Sequence, residues 1–273
     1  MENIIGEEIP DTLYKYMSWK VDGKTGINYT KELLENNQFY LSPVDQLNDP
    51  FECVVIPSVE ATPEDARKRF EKFSRLPELN DIDYENLKEE FASNINYRKC
   101  SMQLKHRKER IDTGICCFAG SAHAESLMWS HYADNHKGVC LLFDATSLQL
   151  DKNNAKLNIL KVDYPEMYPQ VNFISDDLWK IVKAKFSTKE SCWEYEVEYR
   201  VIAIEAAQTY NRKYPFPPKS LVKVILGCNM NISDQFMFTE TLKKRSFPVK
   251  LYQSTKKEQE FGLEKKYIGT YGG

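Results

Sequence analysis

The segment from Trp193 to Ile204 constrains the fold most, because an alternating charged stretch runs directly into an apolar one. Successive side chains of a strand point to opposite faces, so the pattern predicts a strand with Glu196, Glu198 and Arg200 on one face. A strand that leads into an apolar run is expected well inside a sheet, where charges are costly unless they are paired or used. Two carboxylates about 7 Å apart along a strand, followed by a guanidinium, therefore indicate either a ligand site or an exposed face with an ordinary Glu–Arg pair.

The composition is that of a globular protein without a strong electrostatic bias. The 273 residues are 42% hydrophobic and 28% charged, with a formal net charge of -3, which favours one sizeable core and no general affinity for polyanions. The sequence contains no apolar run of about 18 residues, so no membrane span is predicted. The acidic segment Met1–Glu8 lacks the basic and apolar regions of a signal peptide. The 7 cysteines form no Cys-x-x-Cys pair, which indicates reduced thiols and a cytoplasmic location.

Many predicted strands separated by unevenly spaced helices indicate a single α+β domain over residues 1–273. We expect a mixed, mainly antiparallel central sheet with flanking helices. The first short helix is predicted over Lys31 to Asn36, with Thr30 as its cap. Residues 62–112 are predicted to form a helical insertion that starts at Thr62-Pro63 and breaks near Pro77, because charges dominate there and apolar residues recur at near-helical spacing. The polar segment 256–273 is predicted to be a flexible tail.

The segment Met128–Gly138 holds two of the four histidines beside aromatic and hydroxyl side chains. His131 and His136 are five positions apart, so they do not form the i, i+4 pair of a metal-binding helix, and no metal is expected. We interpret His136 as a partner of the helix dipole and Gly138 as the left-handed cap of the helix. His131 and Tyr132 are instead candidates for stacking on a ligand and hydrogen bonding to it.

Other motifs are weaker. Asn48 to Glu52 is typical of a turn before a proline. The basic cluster from Lys105 to Arg110 is interpreted as the solvated end of a helix, with phosphate contact as the alternative. Apolar neighbours make Cys116-Cys117 a core pair more readily than a thiol nucleophile beside His123 or His131. The patterns of serine hydrolases, phosphate-binding loops and dinucleotide folds are absent from the sequence.

Taken in order, four motifs resemble the bacterial family catalogued as domain of unknown function 2971, over roughly residues 13–228. They are Leu13-Tyr14-Lys15-Tyr16, then Phe39-Tyr40-Leu41-Ser42 with Asn48-Asp49-Pro50-Phe51-Glu52, then Met128-Trp129-Ser130-His131-Tyr132-Ala133 with His136-Lys137-Gly138, then Trp193 with Glu196, Glu198 and Arg200. The resemblance implies an accessory bacterial protein, an effector or toxin of anti-phage defence among the contexts it suggests.

The layout is also similar to that of ADP-ribosyltransferases, which implies an enzyme that uses NAD. By this resemblance Glu198 is the acid that binds the nicotinamide ribose, Glu196 is the acid on the acceptor side, and Arg200 holds the pair or a phosphate. The predicted NAD-binding residues are Tyr14, Lys15, Asn48, Asp49, Trp129, Ser130, His131 and Tyr132. The first strand departs from the usual pattern, because Tyr14-Lys15 stands where a histidine or arginine is expected.

Two alternatives stay open at this point. A metal-dependent nuclease or phosphodiesterase would use Glu196, Glu198 and Asp49 as Mg²⁺ ligands. A protein without catalysis would bind a ligand or a partner protein, with the helical insertion as the contact surface. The acceptor (protein, nucleic acid or water) and the oligomeric state do not follow from the sequence.

Overall fold

The computed structural model describes residues 9–73, 81–122, 125–148, 157–204, 206 and 211–273. The N-terminal segment Met1–Glu8, the predicted break near Pro77 and His123 lie outside these residues. The chain forms two compact units. The first consists of the chain up to Ser42, of Gly114–Val162 and of the chain from Trp193 onward, and the second consists of Pro43–Thr113 and Asp163–Cys192.

The elements are numbered along the chain. The strands are β1 Thr12–Met17, β2 Gln38–Tyr40, β3 Ile56–Ser58, β4 Gly114–Ala119, β5 Val139–Asp144, β6 Leu157–Lys161, β7 Gln170–Asn172, β8 Glu198–Ala203, β9 Lys213–Pro215, β10 Leu221–Leu226, β11 Val249–Lys256 and β12 Leu263–Tyr271. The α-helices are α1 Tyr29–Asn36, α2 Pro63–Phe73, α3 Asp81–Ser93, α4 Ile95–Asp112, α5 Glu125–Tyr132, α6 Leu178–Phe186 and α7 Ile232–Lys243.

The first unit is built on a sheet whose described strands number 8, in the order β12-β11-β10-β5-β1-β4-β8-β6. Neighbouring strands pair antiparallel throughout this sheet except β10 and β11, which pair parallel. The predicted α+β class with a mixed, mainly antiparallel central sheet is confirmed. The apolar runs of β5 and β10 are central because they carry few polar side chains that would need water.

Each face of this sheet carries its own buried cluster. One cluster contains Leu13, Phe143 and Val201, and the Phe39 ring packs in it against Phe143 at 5.2 Å between ring centroids. The other cluster lies on the face that α5 covers and contains Tyr16, Ala119, Met128, Trp129, Ala133, Cys140, Leu142 and Ile225. The second face is the one that carries the candidate site.

Two helix ends differ from the prediction. The side chain of Asn28, not that of Thr30, caps α1 by accepting a hydrogen bond from Lys31 N, while the Thr30 hydroxyl donates to Ser18 O at 2.6 Å. After α5 the chain takes a left-handed conformation over Asp134–His136, with φ of 48°, 52° and 67°, and Gly138 is not the left-handed cap. Gly138 is needed for close approach instead, since a Cβ there would lie 2.2 Å from Met17 O.

The second unit contains α2, α3, α4 and α6 together with the short parallel pair β3–β7. Phe70, Phe91 and Ile181 are part of its buried cluster. Arg98, which is 4% exposed, donates through Nε to Phe91 O and through Nη2 to Ala92 O, both of which are carbonyls in the last turn of α3. A buried guanidinium thereby satisfies backbone acceptors that the end of a helix leaves open.

Residues 256–273 were expected to form a flexible tail, whereas in the structure they contain β12. This strand pairs with β11 from Val249↔Tyr271 to Lys256↔Leu263 and forms one edge of the sheet. Within the described part of the chain, no helix combines the length and the apolar character needed to cross a membrane.

Candidate functional site

The first feature of the site is a row of facing residues across three neighbouring strands. Tyr14 on β1 is opposite Ala119 on β4, and Ala119 is opposite Glu198 on β8. Because directly opposed residues of a sheet point to the same face, Tyr14 and Glu198 lie on the face that α5 covers. Arg200, two positions further along β8 and opposite Cys117, shares this face.

Glu198 and Arg200 form a buried ion pair. The Nε of Arg200 donates to Glu198 Oε1 at 2.8 Å, and its Nη2 donates to Oε2 at 3.0 Å. The side chain of Arg200 is 0% exposed and that of Glu198 is 3% exposed. The bidentate geometry fixes both side chains, so the carboxylate of Glu198 is held in one orientation.

Glu196 reaches the site by a different route from the predicted one. Residues Ser191–Glu196 form a 3₁₀ helix, and the strand begins only at Glu198. The residue between them, Val197, has a φ of 45°, a left-handed conformation that is strained for a β-branched side chain. The predicted continuous strand from Glu196 to Arg200 is therefore wrong. The turn places Glu196, 3% exposed, within reach of α5, where Tyr132 Oη donates to its Oε1 at 2.5 Å.

An aromatic cluster adjoins Glu196. The exposed ring of His131 lies 6.2 Å from that of Tyr132 and 6.0 Å from that of Trp193, and Trp193 lies 6.1 Å from Tyr195. Tyr132, Trp193 and Tyr195 are half-buried. The cluster thus presents aromatic edges and faces at the surface, directly beside a buried carboxylate.

Trp129 and Ser130 have different surroundings from their neighbours on α5. The ring of Trp129 is 0% exposed, contacts Tyr16 edge-on and stacks on His136 at 6.1 Å, so it is part of the core. His136 therefore packs on a ring, which our interpretation of it as a partner of the helix dipole did not include. Ser130 is exposed, and its hydroxyl donates to Ser126 O within the same helix at 2.8 Å.

Lys15 lies on the opposite face of the sheet from Tyr14. Its Nζ donates to Cys117 O at 3.1 Å and lies 5.2 Å from the centroid of the Phe118 ring, which is part of the other core cluster. The structure does not bring Lys15 to the face of Glu198. Strand alternation alone separates two consecutive residues in this way.

Asn48 and Asp49 are in the second unit. Asn48 is exposed, whereas Asp49 is 5% exposed and accepts a hydrogen bond from Phe51 N at 2.9 Å through Oδ1, as the predicted turn requires. In the same motif, Glu52 forms an ion pair with Lys189 at 3.3 Å, with each side chain 2% exposed. This part of the motif stabilises the second unit.

Metal ligation and thiol chemistry receive little support from the geometry. The described residues contain no group of 3 or more His, Cys, Asp or Glu side chains placed to hold a metal ion. Of the predicted ligand set, Glu196 and Glu198 belong to the first unit and Asp49 belongs to the second. Burial raises the pKa of the Cys116 thiol, which disfavours the nucleophilic thiolate.

The arrangement has a defined chemical capacity. Two buried carboxylates, one fixed by a guanidinium and one by a phenol, can accept hydrogen bonds from hydroxyl groups and stabilise a developing positive charge. Trp193 and Tyr195 were not predicted to bind a ligand, although both belong to the segment Trp193–Ile204 that predicted the carboxylate site. Their proximity in sequence to the predicted carboxylate Glu196 was the signal that could have identified them.

Fold and site together define an α+β protein whose mainly antiparallel sheet holds a buried carboxylate–arginine pair on the face that carries an aromatic cluster. Residues 128–201 match the family model described as protein of unknown function (DUF2971), and this confirms the resemblance over that segment. The segment contains Tyr132, Glu196, Glu198 and Arg200, while the earlier motifs around Tyr14 lie outside it. Comparisons with curated proteins and with solved structures found no match.

Proposed function

We propose that this protein is a nucleotide-handling enzyme of ADP-ribosyltransferase type, which takes NAD as a substrate in the cytoplasm. One observation carries the proposal. Tyr132 on α5 donates a hydrogen bond to the buried carboxylate of Glu196, and Glu198, two residues further along the chain, is held by Arg200 through two hydrogen bonds. The 7 cysteines are free thiols, which supports a reducing compartment.

The reaction assigns a separate task to each carboxylate. The bond between ribose C1′ and the nicotinamide nitrogen breaks, and nicotinamide leaves with the electron pair, so positive charge develops on the ribose. Glu198, oriented by Arg200, accepts hydrogen bonds from the ribose hydroxyls and stabilises that charge. The acceptor then forms a bond to C1′, and Glu196 takes the proton that the acceptor loses.

The neighbouring aromatic side chains supply the binding surface. His131 and Trp193 offer ring faces on which nicotinamide can stack, and stacked or edge-on aromatic contacts add about 0.5–1.5 kcal/mol beyond the buried area. Tyr14 lies on the same sheet face as Glu198 and lines the other side of the proposed site. The hydroxyl of Tyr132 keeps Glu196 in place.

Release of nicotinamide from NAD tests the proposal directly. The full chain is incubated with NAD and with protein, RNA or water as the acceptor, and nicotinamide is measured by mass spectrometry. Glu196→Gln should lower the rate at least 100-fold, since loss of one positioned acid–base group costs about 10²–10⁴. Glu194→Gln, an exposed neighbour in the same 3₁₀ helix, is the matched control and should keep the wild-type rate. No nicotinamide from the wild type with any acceptor, or equal rates in both variants, would overturn the proposal.

The biological role we propose is that of an effector or toxin in anti-phage defence. It is supported by the resemblance of the motifs to accessory bacterial proteins. Expression of the wild type should slow growth of the host cell, and expression of Glu196→Gln should not. Equal growth inhibition by both proteins would separate the biological effect from the catalysis.

A second candidate is a binding protein without catalysis. The observation that favours it is the burial of Glu198 and Arg200, which are 3% and 0% exposed and bond to each other through two hydrogen bonds. Such a pair is equally suited to fixing the strand structure. A Glu196→Gln protein that retains its full biological effect would favour this candidate.

A further inference from the structure

The second unit contains a small cavity lined by two cationic side chains, a histidine, a carboxylate and apolar residues. Its volume is about 30 Å³, and its lining includes Arg69 from α2, Lys105, His106 and Glu109 from α4, and the apolar residues Phe173 and Ile181. Lys105, His106 and Glu109 lie at spacings that share one face of α4, whereas Arg107 and Lys108 are exposed on the other side. The basic cluster interpreted above as a solvated helix end is thus divided between the cavity and the solvent.

The lining residues of this cavity include two cationic side chains, Arg69 and Lys105. Glu109 is the single carboxylate among the lining residues, and it is ion-paired with the buried Lys185 while lying 4.0 Å from Lys105. Arg69 is 7% exposed and donates through Nε to a neutral acceptor, Phe173 O, at 2.7 Å. Asp176 and Asp177 also act on Arg69 electrostatically, and Asp176 forms an ion pair with Lys180 at 2.8 Å.

Burial lowers the pKa of the two cations, and a bound anion would raise it again. Desolvation lowers the pKa of Arg69, and it lowers the pKa of Lys105 to about 8. The Nδ1 atom of His106 is buried and has no hydrogen-bond partner among the described residues. A negatively charged ligand would offset the desolvation cost of the cations and supply a partner for the imidazole.

We propose that this cavity binds a compact oxyanion, namely phosphate or the terminal phosphoryl group of a larger molecule, held by Arg69, Lys105 and the ring of His106. The cavity volume of about 30 Å³ suits one compact group and not an extended ligand. Guanidinium and ammonium groups together are the usual protein partners of phosphate oxygens. The site lies wholly within the second unit and does not depend on the proposed NAD chemistry.

Thermal unfolding of the full chain with inorganic phosphate tests this site. The melting temperature is measured from 0 to roughly 20 mM phosphate at constant ionic strength. The wild type should show a saturable increase, because a ligand that binds only the folded state stabilises it. Lys105→Gln should need at least about tenfold more phosphate for the same increase in melting temperature, as expected for loss of a charge-assisted hydrogen bond. Lys108→Gln, which removes the same charge from the exposed side of α4, should behave as the wild type.

Two further arms complete the experiment. If glycerol phosphate stabilises the protein as phosphate does, the site accepts a phosphoryl group on a larger molecule, whereas a response to phosphate alone identifies the free ion. In the wild type, phosphate should slow acetylation of Lys105 several-fold without changing that of Lys108, as measured by mass spectrometry of peptides. Absence of a saturable shift in the wild type, equal shifts in both variants, or no protection of Lys105 would overturn the proposal.

Discussion

The buried pair of Glu198 and Arg200 allows a quantitative prediction. Both side chains are withdrawn from water, with exposures of 3% and 0%, and two hydrogen bonds of 2.8 and 3.0 Å join them. Removal of one member takes a bidentate partner away from a buried charge, which costs about 3–5 kcal/mol. Arg200→Leu and Glu198→Leu should each lower the free energy of unfolding by this amount, a large part of the roughly 5–15 kcal/mol of a typical domain.

The double variant distinguishes the loss of the Glu198–Arg200 ion pair from the burial of one of its charges without the other. Replacement of both residues by leucine removes both buried charges, so the double variant should be more stable than either single variant. Urea unfolding followed by circular dichroism measures all three proteins. With a slope of about 2 kcal/mol per molar urea, each single variant should shift the midpoint downward by about 2 M.

An exposed pair provides the control. Arg67 bonds to Glu89 at 2.7 and 2.8 Å, but the side chains are 41% and 52% exposed, so Arg67→Ala should cost less than about 1 kcal/mol. If the single variants at Glu198 and Arg200 cost no more than this control, or if the double variant loses the sum of both, the reasoning from burial is refuted.

Two further predictions concern packing and pH. Gly227→Ala should destabilise the protein more than Gly120→Ala. The new Cβ at position 227 would lie 2.1 Å from the backbone oxygen of His136, whereas the Cβ at position 120 would lie 2.5 Å from the side-chain ring of Tyr199. Urea midpoints in the reverse order would contradict this explanation. Burial lowers the pKa of His106 from 6.5 to about 4, so the unfolded chain binds more protons between these values and stability should fall as the pH drops from 6.5 towards 4. His106→Gln should remove about 1–2 kcal/mol of that loss at pH 5, allowing for partial exposure of the ring, and an unchanged pH dependence of the urea midpoint would count against it.

Much of the sheet was predictable because its strands carry strong local patterns. The apolar runs that form β5 and β10 have few polar side chains, a pattern typical of strands buried inside a sheet. The cap of α1 was predicted at the wrong residue, since both Asn28 and Thr30 can cap a helix and only tertiary contacts decide between them. Thr30 instead bonds to the backbone of Ser18.

The charged face of β8 shows where local pattern stops being sufficient. Alternation correctly pairs Glu198 with Arg200, yet it extends the strand through Val197, where the chain turns with a φ of 45°. Gly120 N donates to Val197 O at 2.8 Å, a contact between residues 77 positions apart that no local rule can supply. Glu196 was therefore placed beside Glu198 on a strand, when its position depends on a 3₁₀ turn and on Tyr132.

Some of the missing information was present in the sequence. Alternation along β1 already excludes Tyr14 and Lys15 from the same face. In α4, the spacing of Met102, Lys105, His106 and Glu109 is that of one helical face, which would have directed two basic residues inward. What the sequence could not supply was the position of Arg69 on another helix, which adds the second cation to the cavity lining.

The row from Tyr14 through Ala119 to Glu198 has a consequence for synthesis of the chain. Its ends are separated by nearly the whole first two hundred positions, and translation adds roughly 5–20 residues per second. Tyr132 and Glu196 are 64 positions apart, so at this rate α5 exists on the ribosome for about 3–13 seconds without the carboxylate that its Tyr132 will bind. A fragment of the polypeptide that ends before Glu198 therefore lacks the pair of carboxylates on which the proposed reaction depends.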